Sequence, residues 1–292
     1  MPSTRDIRRR IKSVKNTAQI TKAMQMVASS KMRKAQLAAL AGRPYASLMN
    51  EVLAGVGADS RDFSHPLMES RPVLKRAVVL VSTDKGLCGA LNSNLTREAA
   101  KFDKDTTVYI SAGRKASQFV ARSKRNLAAE FSYKDSPLFA EARAISKFVR
   151  DLFLKGDVDQ VDVLFTNFIS TLNQRPVVRT LLPVAEVKGV GVGAQGESHS
   201  VPLSVSAQDF QFEPAADQVL GELLPHALNF QIYQILLEAK ASEHSSRMVA
   251  MKNATDNAKQ LIKDLTLEYN KLRQANITKE LLEITTAQMA LG

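Results

Sequence analysis

"MVAMKNATDNAKQLIKDLTLEYNKLRQAN", residues 248–276, places Met248, Met251, Thr255, Ala258, Ile262, Leu265, Tyr269, Leu272 and Asn276 at alternating steps of three and four. Charged residues such as Lys252, Lys259, Lys263, Asp264 and Glu268 fill the positions between them. A seam of that spacing, held for about four heptads, marks a helix that packs along another helix. No Pro or Gly interrupts the 66 residues from His226 to Leu291. At about 1.5 Å rise per residue, such a helix is roughly 100 Å long.

The partner lies at the other end of the chain. Ser3 to Ala41 also lacks Pro and Gly, and Ile7, Ile11, Val14, Ala18, Thr21, Ala28 and Met32 trace a similar stripe, with polar Gln25 on the same line. Both stripes are rich in Ala, Thr and Met, small or flexible side chains that let two helices approach closely. One helix enters the middle of the chain and the other leaves it, so the pair is expected to run antiparallel. The first helix is expected to break near Gly42 and Pro44, leaving the C-terminal helix to extend past it by some tens of ångströms.

The middle reads as an α/β unit. "AVVLVST" (77–83) is continuously apolar, as a strand covered on both faces requires. "TTVYISA" (106–112) and "VDVLFTNFIS" (161–170) predict further strands, with amphipathic helices near 88–101 and 137–155. "PVVRTLLPV" (176–184) follows a short polar turn and should pair antiparallel with its predecessor. The fold class is therefore α/β, a doubly wound, mostly parallel sheet joined to a long antiparallel two-helix coiled coil. The expected division is an N-terminal shaft helix over 1–56, a foot domain over 72–187, a flexible loop over 188–214, Gly-rich in 188–200, and a C-terminal shaft helix over 215–292.

Behind the first strand comes "STDKGLCGALN" (82–92), a glycine turn opening a helix, the usual seat of a nucleotide phosphate. It matches neither known phosphate motif. A P-loop needs four residues between its glycines and a Lys with Ser or Thr directly after the second; here Gly86 and Gly89 are only three apart with no such pair following, and G-x-G-x-x-G is absent. Asp84, Lys85 and Cys88 have no histidine nearby in sequence to act as a base. The plainer reading is a tight strand-to-helix turn with a polar tip free for a protein contact. The four histidines stand far apart without ligand spacing, and the single cysteine excludes an internal disulfide. Neither a metal nor a cofactor is expected.

Charge narrows the partner. Residues 1–50 carry eleven Lys or Arg against one acid, Asp6, and hold nearly all of the net +11. That segment calls for an acidic partner, whether nucleic acid, anionic lipid or an acidic protein surface. It has no aromatic residue before Tyr45 on which a base could stack. A basic helical nucleic-acid binder is the alternative reading, and an enzyme using "DKGLCG" a third. No apolar run is long enough to span a bilayer, and the N-terminus has no secretory signal.

The opening "IRRRIKSVKNTAQITKAMQMVASSKMRKAQ", the internal "STDKGLCGALN" and the closing "ASEHSSRMVAMKNATDNAKQLIKDLTLEYNKLRQANITKELLEI" closely resemble the gamma subunits of the rotary F-type ATP synthases. The match covers both ends and the start of the middle; roughly 115–215 rests on position alone. The resemblance implies a non-catalytic central rotor stalk that couples proton transport through the membrane c ring to ATP synthesis or hydrolysis at the alpha–beta hexamer. The implied partners are the alpha and beta subunits, the epsilon subunit and the c ring, with no nucleic acid. The implied location is the cytoplasmic face of a bacterial inner membrane, as a peripheral protein.

Carried over residue by residue, Met24 with Lys22, Lys31, Arg33 and Lys34 match the part of the shaft that meets the acidic lever of the beta subunit. Arg247, Arg273, Gln274 and Thr278 match positions that hydrogen-bond loops of the surrounding ring. Two departures stand out. Ala287 and Gln288 occupy the place where the family usually carries Gly-Ala. The cysteine pair of the chloroplast relatives is missing, which excludes their thiol switch.

Overall fold

A computed structural model describes residues 3–42, 44–45, 48–49, 65–184 and 216–291. The loop expected over 188–214 and most of 43–64 lie outside the described residues. The chain divides into two compact units: Met1–Ala28 with Met248–Gly292, and Ser29–Arg247. Two continuous helices contribute to both, α1 (Thr4–Ala41) and the C-terminal helix Ala216–Leu291.

In the first unit the two helical segments form an antiparallel coiled coil. Ile7 and Ala28 on α1, and Met251, Thr255, Ala258 and Leu265 on the C-terminal helix, are buried. Ile11, Val14, Ala18, Thr21, Met248, Ile262, Tyr269 and Leu272 are partly so. These are the seam positions read from the sequence, except that Asn276 is exposed. Residues 273–289 are exposed on every side, Ile277, Leu281, Leu282 and Ile284 included. At its start α1 is capped by Ser3, whose Oγ accepts from the Asp6 N–H, while the Asp6 carboxylate sits in the first turn where the helix dipole favours it.

The second unit is built on five strands. They are β1 (Arg76–Val81), β2 (Thr107–Ala112), β3 (Asn126–Phe131), β4 (Gln160–Phe168) and β5 (Gln174–Leu182). Helices α2 (Leu91–Ala100), α3 (Arg114–Arg122) and α4 (Phe139–Leu154) lie between the parallel strands in sequence, and Ala216–Leu291 is α5. The sheet order is β3-β2-β1-β4-β5. All pairings are parallel except β4 with β5, as predicted for the strand after the polar turn. β3 and α3 add a strand and a helix to the elements read from sequence.

Alternation along β1 assigns its two faces. Ala77, Val79 and Val81 pack with Ala142, Ile145, Val149 and Phe153 of α4 and Leu228, Ile232, Ile235 and Leu236 of α5. Val78 and Leu80 pack with Tyr109, Leu164, Leu95 and Ala99 of α2, and Ala116 and Val120 of α3. A strand covered on both sides has no wet position, which explains its unbroken apolar run. Each Val, Leu, Ile or Phe side chain so removed from water contributes about 1.5–3 kcal/mol before entropy is counted. The start of α5 is helical through Gly221 and Pro225, ten residues ahead of the breaker-free stretch. Leu224, Leu228 and Ile232 are buried there, so packing on the sheet outweighs the local cost of Pro225.

Candidate functional site

A doubly wound sheet binds ligands at the carboxyl ends of its strands, where the chain order reverses. Here that point lies between β1 and β4, and loop 82–90 sits directly on it. Tight backbone contact holds the loop against its neighbour. Gly113, at φ +102°, lies so close that an added Cβ would fall 2.3 Å from the Ser82 carbonyl oxygen. Ser82 Oγ accepts from the Ala116 N–H at 2.7 Å, the Lys115 N–H donates to the Thr83 carbonyl at 3.0 Å, and Asp84 Oδ1 accepts from the Arg114 N–H at 3.0 Å. The first-turn donors of α3, the groups that would bind an anion, are therefore engaged by the loop itself.

The crevice is closed from the other side by α5. Ser242 Oγ donates to the Thr166 carbonyl at 2.9 Å, Ser245 Oγ to the Thr171 carbonyl at 2.9 Å, and Ser246 Oγ to the Cys88 carbonyl at 2.7 Å. The Arg247 guanidinium reaches the carbonyls of Gly86 at 3.2 Å and Lys85 at 3.3 Å. One turn of helix thus binds both the β1 loop and the end of β4. Within the loop, Asn92 Nδ2 donates to Thr83 Oγ1 at 2.8 Å and lies 3.2 Å from Cys88 Sγ. Burial pushes the Cys88 thiol up, against the opposing pull of Arg247.

What the loop offers outward is its tip. Leu87 holds φ +62°, an uncommon conformation for a branched side chain, and is 62% exposed. Lys85 and Gly86 are exposed beside it. Behind the tip lies a chain of charges. Lys240, 1% exposed, donates to Glu243 Oε2 at 3.0 Å, sits 3.8 Å from Asp135 and 4.5 Å above the Tyr133 ring. Glu243 Oε1 binds Arg247 at 2.8 Å, and Asp135 also pairs with Lys31 of α1. The hydrogen bond from Lys31 and the charge of Lys240 hold the Asp135 carboxyl below the usual range despite partial burial. Tyr133 donates its hydroxyl to the Ser82 carbonyl at 2.9 Å, and burial raises its pKa well above normal.

The residues singled out from the sequence fall into three groups. Asp84, Lys85, Cys88 and Arg247 come together at the loop. Lys22, Arg33, Lys34, Arg273, Gln274 and Thr278 are exposed along the helices, and Met24 is half-buried in its seam. Lys31 is engaged with Asp135. Sequence reading missed Asp135, Lys240, Glu243, Ser242 and Ser246. The only available signal was the spacing Lys240–Glu243–Arg247, three and four residues apart on one helix face. Among the described residues no group of three or more His, Cys, Asp or Glu could hold a metal ion. No helix among them is long and apolar enough to cross a membrane.

These features define a class: a doubly wound α/β unit whose ligand crevice is stoppered by its own C-terminal helix, on a chain whose two ends pair as an antiparallel coiled coil. The family described as ATP synthase matches residues 3–291. The chain is 46% identical over 297 residues to the ATP synthase gamma chain of Methylacidiphilum infernorum, covering all of both chains. It is 50% identical over 292 residues to that of Opitutus terrae, covering 99% of each. The chain belongs to the ATP synthase gamma-chain family, whose members are non-catalytic stalk subunits of the enzyme complex. Among solved structures it resembles the Tetrahymena thermophila mitochondrial ATP synthase central stalk and c ring, at TM-score 0.60 and 26% identity over 80% of this chain and 99% of that one. It shares its fold with the rotor of the Euglena gracilis mitochondrial ATP synthase, at TM-score 0.63 and 17% identity over 94% and 98%.

Proposed function

We propose that this chain is the central rotor stalk of an F-type ATP synthase. In this role it couples proton flow through the c ring to ATP synthesis or hydrolysis at the alpha–beta hexamer, and performs no chemistry itself. The observation that carries the reading is the 50% identity to a gamma chain along 99% of both sequences. The coiled coil gives the mechanism its physical basis. A rotor can bias surrounding subunits only through contacts that differ with angle, because equal contact with every state shifts no equilibrium. The faces of this pair are unequal: α1 carries bases around an Ala- and Thr-rich seam, and residues 273–289 of α5 are unpaired.

The partners are alpha, beta and epsilon subunits and the c ring. Lys22, Met24, Arg33 and Lys34 would meet the acidic lever of the beta subunit, where the basic segment finds its counter-charge. Arg273, Gln274 and Thr278 would give directional hydrogen bonds to ring loops, and the exposed tip at Lys85 and Leu87 a further protein contact. We extend the division into shaft segments over 1–56 and 215–292, a foot over 72–187 and a loop over 188–214 to the assembled complex. The complex would sit peripherally on the cytoplasmic face of the membrane. The nucleic-acid reading has no support from the family.

Reconstitution tests this directly. Adding the chain to alpha–beta hexamer, epsilon subunit and membrane sector should give ATP-driven proton pumping that is absent without it. Failure to join the complex, or pumping that does not require the chain, overturns the reading.

A further inference from the structure

Behind the loop tip, Glu243 bridges two buried cations of α5, with one carboxylate oxygen on Lys240 and the other on Arg247. Its side chain is 4% exposed, that of Lys240 1% and that of Arg247 12%. Such a buried network adds little net stability, since desolvation offsets most of the attraction. What it does supply is direction. Arg247 Nη2, held 2.8 Å from Glu243 Oε1, also donates to the Lys85 and Gly86 carbonyls, and Nε reaches the Gly86 carbonyl at 3.4 Å, immediately before the exposed Leu87. Lys240 continues the chain through Asp135 to Lys31, so one carboxylate ties α5 to the loop and, through two more residues, to α1. Apolar packing between a helix and a loop tolerates sliding; a fork of charge-assisted hydrogen bonds fixes the angle.

We propose that Glu243 is a positioning residue for energy coupling, aiming Arg247 so that the 84–88 loop and α5 move as one piece under load. The inference rests on the gamma-chain function. Without the Glu243 charge, Lys240 keeps only the more distant Asp135, and Arg247 loses the carboxylate that orients it. Load on the loop tip would then be absorbed by slippage against α5 rather than passed to the helix. Arg247, read from the family as a ring contact, acts here first within its own chain.

The test places Glu243→Gln in the complete complex in inverted membrane vesicles and compares ATP hydrolysis with ATP-driven proton pumping, each per assembled complex. Hydrolysis should stay within about twofold of wild type while protons pumped per ATP fall about threefold or more. A lower yield of complexes, each with an unchanged pumping ratio, would show a merely structural role and overturn the proposal. Lys240→Met combined with Glu243→Gln removes the buried cation that the single variant leaves under-compensated, and keeps the test open should the single variant not assemble. The double variant should assemble and still pump poorly, because Arg247 remains unheld; full coupling in it overturns the proposal. Glu243→Asp, which keeps the charge, should recover part of the ratio. If the wild-type chain itself fails to support pumping, the function reading fails instead, and the outcomes are distinct.

Discussion

Thr21 and Thr255, 234 residues apart in sequence, share a hydroxyl–hydroxyl hydrogen bond of 2.7 Å inside the coiled-coil seam. Each also donates or shares with its own helix, Thr21 with the Ala18 carbonyl at 3.1 Å and Thr255 with the Met251 carbonyl at 2.8 Å. The pair fixes the register of two helices whose seams are otherwise small and apolar. Replacing Thr255 with Val keeps the shape and removes the link. Thermal unfolding should show a loss of about 1 kcal/mol for Thr255→Val, and the double variant Thr21→Val/Thr255→Val should recover part of it. Additive losses would mean the hydroxyls act independently.

Gly113 should tolerate no side chain. At φ +102°, with the Ser82 carbonyl in the space of a Cβ, Gly113→Ala must displace the loop or the first turn of α3. We expect a loss of about 3 kcal/mol or more, read by urea unfolding of the isolated subunit. Gly86, where an added Cβ would meet nothing within 4 Å, should accept Ala at far smaller cost.

His244 makes stability pH-dependent. Burial lowers its pKa from the ordinary 6.5, with Glu243 and Asp135 opposing and Arg247 and Lys240 adding to the shift. On acidification the unfolded chain therefore binds the proton first. Stability contributed by neutral His244 is complete above the unfolded value and is lost as pH falls towards the depressed folded one. His244→Gln should lose less stability than wild type between about pH 7.5 and about pH 5.5, measured by urea unfolding at each.

Arg273 is exposed, so its removal should leave the isolated subunit's unfolding unchanged while weakening coupling in the complex. Arg273→Ala should lower ATP synthesis rates in energised vesicles; an unchanged rate would count against its contact with the ring.

Cys88 should be slow to react. Its thiol is buried and its pKa raised, so alkylation of the folded subunit by iodoacetamide should be far slower than of the urea-unfolded chain. Comparable rates in both states would place the thiol at the surface.

How much of this was legible beforehand depended on what each element buries. The coiled-coil seams and β1, β2, β4 and β5 write their burial into local spacing, as period three-and-four or as unbroken apolar runs. β3, "NLAAEF", is an edge strand exposed along much of its length and reads as nothing in particular. α3 is nine residues long and follows an N-cap glycine, too short for its stripe to repeat. At the loop, the missing phosphate motif was visible in the short spacing of Gly86 and Gly89. The replacements for a ligand were not, because Ser242 and Ser246 lie more than seventy residues from the carbonyls they bind. Lys31 shows the same limit: its charge is plain in the sequence, but its engagement with Asp135 depends on a fold-back that no local pattern encodes.

In many doubly wound proteins the strand-end crevice is a berth through which metabolites take control. Here Ser242, Ser246 and Arg247 occupy it, and a visiting nucleotide would have to evict all three together with the helix that bears them. Occupancy of this crevice is thus tied to the seating of α5 itself: nothing can enter between β1 and β4 without first lifting that helix from the sheet.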